Sequence, residues 1–436
     1  MKLFKPLISG FVISLLLFTI ACSTNNDSNS GSSDTTEESE QVTINAAVQK
    51  HTAIDTLEKL LPEFEEKTGI NVNLEVLPQE EMETKVEMAL ASDSDQYDVV
   101  MVDQMFVPQY ARTGWIEDLS PYIEEYSNEL NMDDFMQGFV DALSVEGKIY
   151  GLPVYGESTI LMYNKEMFEE KGIDNPPATF EELKEVAEKL TGDGQYGIAL
   201  RGQRGQGMNV YIWAGFYNAF GGQWLKDGQP DLNSEAAIEA TQLYQDLITN
   251  YAPEGAATYS WDQVQLAMQQ GTVGMVIDAT NFATRLEDEE NSNVVGKIGY
   301  ALIPEGPEGS SPSSATRGFS IPTVSKHKEE AFQFIEWALS EDVQLQSALE
   351  GQRGDATRIS VWESEEFKER NNYDGGKWID VAIESMNQAK ADYRPRIPEW
   401  RNMGDRLGIA ISEALAGKDP KQALDEAQKE INGYFE

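Results

Sequence analysis

Any chemistry in this chain has to come from carboxylates, arginines and aromatic rings, because it holds few other reactive groups. Its 436 residues include 75 Asp and Glu against 33 Lys and Arg, with two histidines and one cysteine. One cysteine, Cys22, rules out a disulfide framework and a multi-cysteine zinc site. His51 and His327 lie far apart in sequence; this argues against a histidine-based metal site, and each reads as a surface or polar-contact residue. Carboxylates abound, which leaves room for oxygen-ligated Ca²⁺ or Mg²⁺, but no metal and no cofactor is expected. Carboxylate pairs are the working parts of glycosidases. In so acidic a chain such pairs arise by chance and carry no weight alone. No H-E-x-x-H, P-loop or G-x-S-x-G occurs. Gly192-Asp193-Gly194-Gln195-Tyr196-Gly197 matches G-x-G-x-x-G, but it sits between a predicted helix and a predicted strand. Dinucleotide binding needs the reverse order, so these glycines read as a turn. Arginine is scarce and uneven, twelve in all, with only Arg112 in the first 200 residues. Arg201, Arg204, Arg317, Arg353, Arg358, Arg394 and Arg396 fall near predicted loops and crossings. They could pair with surface acids, or bind a carboxylate-bearing or hydroxyl-rich ligand by bidentate contacts.

The formal net charge is −42 at pH 7. That argues against nucleic acid or an anionic lipid surface as partner, since phosphate binding needs clustered Lys and Arg. A 40% apolar, 10% aromatic composition belongs to a folded protein. The length suggests about two domains.

The elements that must position these residues alternate. Val42–Val48 is β-rich, and Ile54, Leu57, Leu60, Leu61 and Phe64 mark one helix face ending at Gly69. Val72–Val76 alternates as a half-buried strand, Glu80–Ala91 is helical, and Asp98–Val102 is an apolar run suited to a strand buried on both faces. Strands are predicted over Ser158–Tyr163, Tyr196–Leu200, Gly274–Asp278, Ile298–Ile303 and Gly318–Pro322, with helices at Thr179–Leu190, Ser234–Asn250 and 331–339. Thr179 with Glu182 forms a capping box. The pattern is α/β.

The first 22 residues place Lys2 and Lys5 before an apolar run from Pro6 to Ala21. This is a signal peptide, too short for a membrane-spanning helix. Thr19-Ile20-Ala21-Cys22 resembles a bacterial lipobox, which implies lipidation of Cys22 and an anchor in the cell membrane. Ser23–Gln41 has no aliphatic or aromatic residue and reads as an acidic tether. Two lysines and five acids lie before residue 42, so residues 42–436 carry −39. The charge belongs to the folded body.

The most specific local pattern runs through Gly147-Lys148-Ile149-Tyr150-Gly151-Leu152-Pro153, Tyr163-Asn164-Lys165 and Pro176-Pro177-Ala178-Thr179-Phe180. With Phe64–Val72, Tyr97–Asp103, Gly318–Pro322 and Ala410–Gly417 in the same order, it closely resembles carbohydrate-type extracellular solute-binding proteins, related to maltose-binding protein and serving ABC importers. The resemblance implies a periplasmic-binding-protein-like fold of two α/β lobes joined by a multi-strand hinge (type II). The expected segments are a leader over 1–21, the lipidated tether over 22–41, one lobe from 42–151 and 304–358, and the other from 152–303 and 359–436. It implies a monomer outside the cytoplasm that hands a carbohydrate to membrane permease subunits and does no catalysis.

Sugars need aromatic faces for their C–H surfaces and polar groups for hydroxyls that lose water on closure. On that resemblance the candidate contacts are Gln49 and His51 after the first strand, Asp103 after the third, and Tyr155 and Glu157. Trp213 is expected to stack on the sugar, with Trp261, Asp278 and Asn281 around the 274–278 strand. Arg317, Arg353 and Arg396, singled out by the scarcity of arginine and not by the resemblance, complete the set with Trp400. Two alternatives stay open: the same fold with an acidic or other non-sugar solute, which the arginines favour, and a lipoprotein glycoside hydrolase.

Overall fold

A computed structural model of the chain describes residues 42–126 and 130–435. Cys22, the leader and the tether lie outside the described residues. The centre is a seven-stranded mixed sheet. Its strands are β1 (Thr43–Gln49), β2 (Asn71–Leu77), β3 (Val99–Asp103), β4 (Leu152–Asn164), β5 (Met275–Ala279), β6 (Ile298–Ala301) and β7 (Ser314–Ser320). β1 pairs in parallel with β2 and β3, and β7 runs antiparallel between β3 and β4. The 13-residue β4 serves two sets of partners. Its first half, 152–158, pairs with β7, and its second half, 159–164, lies between β5 and β6. This one strand therefore ties the two halves of an α/β fold together. Between Arg317 and Gly318 the β7–β4 register shifts, and Val154 is left opposite nothing. Such a bulge frees a carbonyl and bends the strand.

The helices form where the apolar spacing asks for them. α1 (Thr52–Thr68) buries Ile54, Leu57, Leu60 and Phe64 and stops at Gly69, whose φ of 76° suits glycine. α2 (Gln79–Ala91) packs on β1 and β2, α3 (Val107–Thr113) packs against residues 144–145, and α4 (Gln137–Ala142) packs on β4. On the other side stand α5 (Phe180–Leu190), α6 (Asn209–Ala219), α7 (Glu235–Tyr251) and α8 (Trp261–Gln269). α9 (Lys328–Ala338) and α10 (Glu341–Glu350) return to pack on α1, while α11 (Lys377–Gln388) lies on β4 and β6. α12 (Trp400–Leu415) packs on α6, α7 and α13 (Pro420–Asn432).

Two expectations change. Tyr196–Leu200 is not a strand: only Tyr196 and Ala199 make bridges, to Val273 and Val276. The amides of Gly197 and Ile198 turn instead to the Tyr251 carbonyl at the end of α7, so no continuous ladder forms. The capping box at α5 is half made. Thr179 Oγ1 accepts from the Glu182 amide at 3.2 Å, but the Glu182 carboxylate takes the Ala178 amide, one residue early. The 192–197 glycines do make a turn, with Gly192 bridged to Gln195.

Candidate functional site

Parallel pairing brings the carboxyl ends of β1 and β3 to one edge of the sheet, carrying Gln49, His51, Asp103 and Gln104 there together. The antiparallel register then sets Arg317 of β7 opposite Asp103 on one side and Tyr155 on the other. Arg317 Nη2 lies 2.9 Å from both Asp103 Oδ2 and Glu83 Oε1 of α2. Asp103 Oδ1 meanwhile accepts from the Met105 amide at 2.8 Å, so this side chain caps a turn and holds an arginine at once. Burial is the largest single influence on Arg317 and opposes its charge, but Asp103, Tyr155 and Glu83 together outweigh it and keep the guanidinium protonated.

A second cluster is built by the segment 353–357 as it crosses β4 at the bulge. Arg353 is 2% exposed and each of its three nitrogens has a partner. Nη2 reaches the freed Val154 carbonyl at 3.2 Å, Nη1 the Ser347 hydroxyl at 2.7 Å, and Nε Asp355 Oδ1 at 2.8 Å. Asp355 also takes His51 Nε2 at 3.3 Å. Burial alone would lift the Asp355 carboxyl; Arg353 and His51 hold it well below the usual carboxylate range. His51 Nδ1 accepts from the Ala53 amide as the cap of α1, so its proton sits on Nε2. The imidazole ring stacks on Tyr155 at 4.1 Å. Gly156 follows Tyr155 because a Cβ there would sit 2.6 Å from the Phe139 ring.

Facing these from the helical side are Arg201 and Asp278, both buried and joined by a bidentate ion pair through Nε and Nη2. Arg201 lies over the Tyr211 ring at 4.7 Å. Arg394 lies over Tyr393 at 4.7 Å, Tyr211 at 5.7 Å and Trp400 at 5.6 Å, and donates to the Gln206 carbonyl. Glu157 joins the two sides: its carboxyl feels Arg201 and Asp278 as well as Arg317 and Asp355. Glu157 is part-exposed, and its carboxyl makes no hydrogen bond or ion pair among the described residues. Burial is the largest influence on it and pushes its pKa up to about 8.

What marks this region is unmet hydrogen bonding. Buried polar atoms nearly always find partners. Here Gln49 Oε1, Gln104 Oε1, Tyr155 OH, Thr316 Oγ1 and Arg317 Nη1 on the sheet side have none among the described residues. Neither do Tyr211 OH, Tyr393 OH, Arg394 Nε and Trp400 Nε1 on the helical side. The arrangement can surround a small molecule rich in hydroxyls, and among the described residues no His, Cys, Asp and Glu cluster is grouped to hold a metal.

Residues 50–345 match the family model for the bacterial extracellular solute-binding proteins. The chain belongs to that family. It is a solute-binding protein and not an enzyme, and the family's extracellular setting places it outside the cytoplasm. It is 26% identical to the erythritol/L-threitol-binding protein of Mycolicibacterium smegmatis over 408 residues, covering 88% of this chain and 83% of that one. It is 27% identical to the mannitol-binding protein of Pseudomonas aeruginosa, covering 89% and 92%. Among solved structures, the ABC transporter solute-binding protein of Agrobacterium radiobacter K84 in complex with ribitol superimposes with a TM-score of 0.82 at 30% identity, covering 90% and 98%. The fold of this solute-binding protein is thus the two-lobed one.

Of the sequence-predicted residues, the structure brings together Gln49, His51, Asp103, Tyr155, Glu157, Asp278, Arg317, Arg353 and Trp400. It does not bring Trp213 there: the indole is fully buried among the helices and donates to Thr241 Oγ1 at 3.0 Å. Trp261 stands 46% exposed at the start of α8. Asn281 lies with its backbone against Gly354, beside the 353–357 crossing, and Arg396 reaches the end of α4. Sequence reasoning missed Gln104, Glu83 and Asp355, and left Arg394, Tyr211 and Tyr393 outside its candidate set, although Arg394 stands among the arginines weighed for ligand binding. Tyr211 could have been found from Trp213, because two residues along a helix turn about 200° to the opposite face.

Proposed function

We propose that this protein captures a small uncharged polyol or monosaccharide between its two lobes and delivers it to the permease of an ABC importer. The lobes are those of residues 42–151 with 304–358 and 152–303 with 359–436, and the body is a monomer held at the membrane through lipid on Cys22. The observation that carries the ligand class is charge balance. Arg201, Arg317 and Arg353 are matched by Asp278, by Asp103 with Glu83, and by Asp355. That leaves Arg394 as the added positive charge against four carboxylates, and burial keeps Glu157 largely protonated at neutral pH. Four guanidiniums and four carboxylates cancel. An acidic solute would bring net negative charge into a site that is already balanced, whereas a neutral polyol offers hydroxyls to the unpaired atoms. The polyol-binding relatives support the same class.

Thermal-shift titration with D-mannitol, ribitol, erythritol and glucose, set against galacturonate, tests this. At a hundredfold excess over Kd a ligand adds about 2.7 kcal/mol of stability. A neutral compound raising the melting temperature, with galacturonate inert, is the expected result. A shift with galacturonate alone would sink the proposal.

A further inference from the structure

The connection 389–399 between α11 and α12 contains no helix, and it lies across the site. On its inner side it carries Tyr393 and Arg394, two groups with unmet hydrogen bonds. The helical side holds it through the Tyr393 carbonyl, which accepts from Asn218 Nδ2 at 2.8 Å and Trp224 Nε1 at 2.9 Å, and through Arg394, which donates to the Gln206 carbonyl. The sheet side holds it at three points. Gln104 Nε2 donates to the Ala391 carbonyl at 3.4 Å, a long bond. Arg396 Nη1 donates to the Ala142 carbonyl at 2.7 Å, the last residue of α4, where unpaired carbonyls and the helix dipole favour a cation. Arg401, on the first turn of α12, sits 2.7 Å from Glu87 of α2 and 4.7 Å over the Phe106 ring.

We propose that residues 390–401 form a strap over the ligand site, and that Arg401, with Arg396, is a positioning residue that clasps the strap to the sheet side. When the halves part to admit a ligand, the Tyr393 carbonyl stays with Asn218 and Trp224, because these share its side. The contacts of Arg396 and Arg401 have to break. The clasp is one turn along α2 from Glu83, which holds Arg317 at the floor of the same site. One helix face therefore grips both the floor and the lid. Arg396 is bound to the Ala142 carbonyl and Arg401 is paired with Glu87, so their effect on the site runs through Tyr393 and Arg394. Arg401 and Glu87 are both part-exposed, which makes them replaceable without loss of the core.

This inference rests on the polyol reading for one of its two readouts. The first is stopped-flow release of whichever polyol gives the thermal shift. Arg401→Ala is expected to speed release about fivefold or more, Arg401→Lys less, and Arg401→Glu combined with Glu87→Arg to return it towards wild type. The second needs no ligand: hydrogen exchange at the 390–401 amides of the ligand-free protein, expected to be faster in Arg401→Ala at an unchanged melting temperature. Unaltered exchange in Arg401→Ala overturns the strap whatever the ligand is. Faster release that the reciprocal swap fails to reduce overturns the clasp as an ion pair. If no polyol binds the wild type but exchange rises in Arg401→Ala, the polyol reading fails and the strap stands.

Discussion

A hydroxyl left without a partner in a closed interior is a cost that the empty protein carries until something binds to it. Tyr155 shows the consequence clearly, since its OH is unpaired while its ring stacks on His51. Tyr155→Phe keeps the stack and removes the orphan. The empty protein should gain about 1 kcal/mol, and ligand affinity should fall by about 0.5–1.5 kcal/mol. Melting curves and calorimetric titration would show these opposite signs; equal losses in both would mean that the OH is a structural contact. Glu157 makes the pH prediction. Below its ordinary value of 4.5 both folded and unfolded chains hold the proton; from there to about 8 only the folded chain does. Raising pH through that window therefore favours the unfolded chain, by up to roughly 1.4 kcal/mol per pH unit. Glu157→Gln should flatten this slope and leave a protein more stable at pH 8 than wild type. A wild-type stability that does not fall between those values would contradict the raised pKa.

Elements were more legible than contacts. The 3.6-residue spacing of Ile54, Leu57, Leu60 and Phe64 with Gly69 gives α1, and the unbroken apolar run of 98–102 gives β3, because both signals are local. The identity of the crossing at 353–357 was not local. Arg353 reads from sequence as a ligand contact, yet its nearest obligations are the Val154 carbonyl of a bulge about 200 residues away and Asp355 two residues on. A bulge leaves no mark in the pattern of β4. The same holds for Trp213, where the family resemblance suggests a sugar platform and only the packing of α6 on α7 shows that the ring points inward. The crossing should behave as a structural clip. Asp355→Asn leaves a buried guanidinium without its counter-ion and should cost about 3–5 kcal/mol in urea unfolding, with the slope on denaturant unchanged. A loss below 1 kcal/mol would show that Ser347 and Val154 suffice to hold Arg353.

At the scale of the whole molecule the two kinds of charge part company. Inside, arginines and acids are matched almost one to one, so the ligand site is close to neutral. Outside, residues 42–436 carry −39, most of it on surfaces where lysines are too few to answer it. Exposed pairs such as Lys326–Asp95 and Lys421–Asp425 contribute little and weaken with salt. Repulsion among so many surface carboxylates works against the compact state and is screened by the same salt. Raising ionic strength from about 0.01 M to 1 M shortens the screening length from about 30 Å to about 3 Å. If repulsion is the larger effect, the melting temperature should climb by several degrees over that range, mostly below about 0.2 M, with sodium chloride and potassium chloride giving the same curve. A falling melting temperature would instead mean that the surface ion pairs outweigh the excess charge, and that the acidity of this body is organised into stabilising networks.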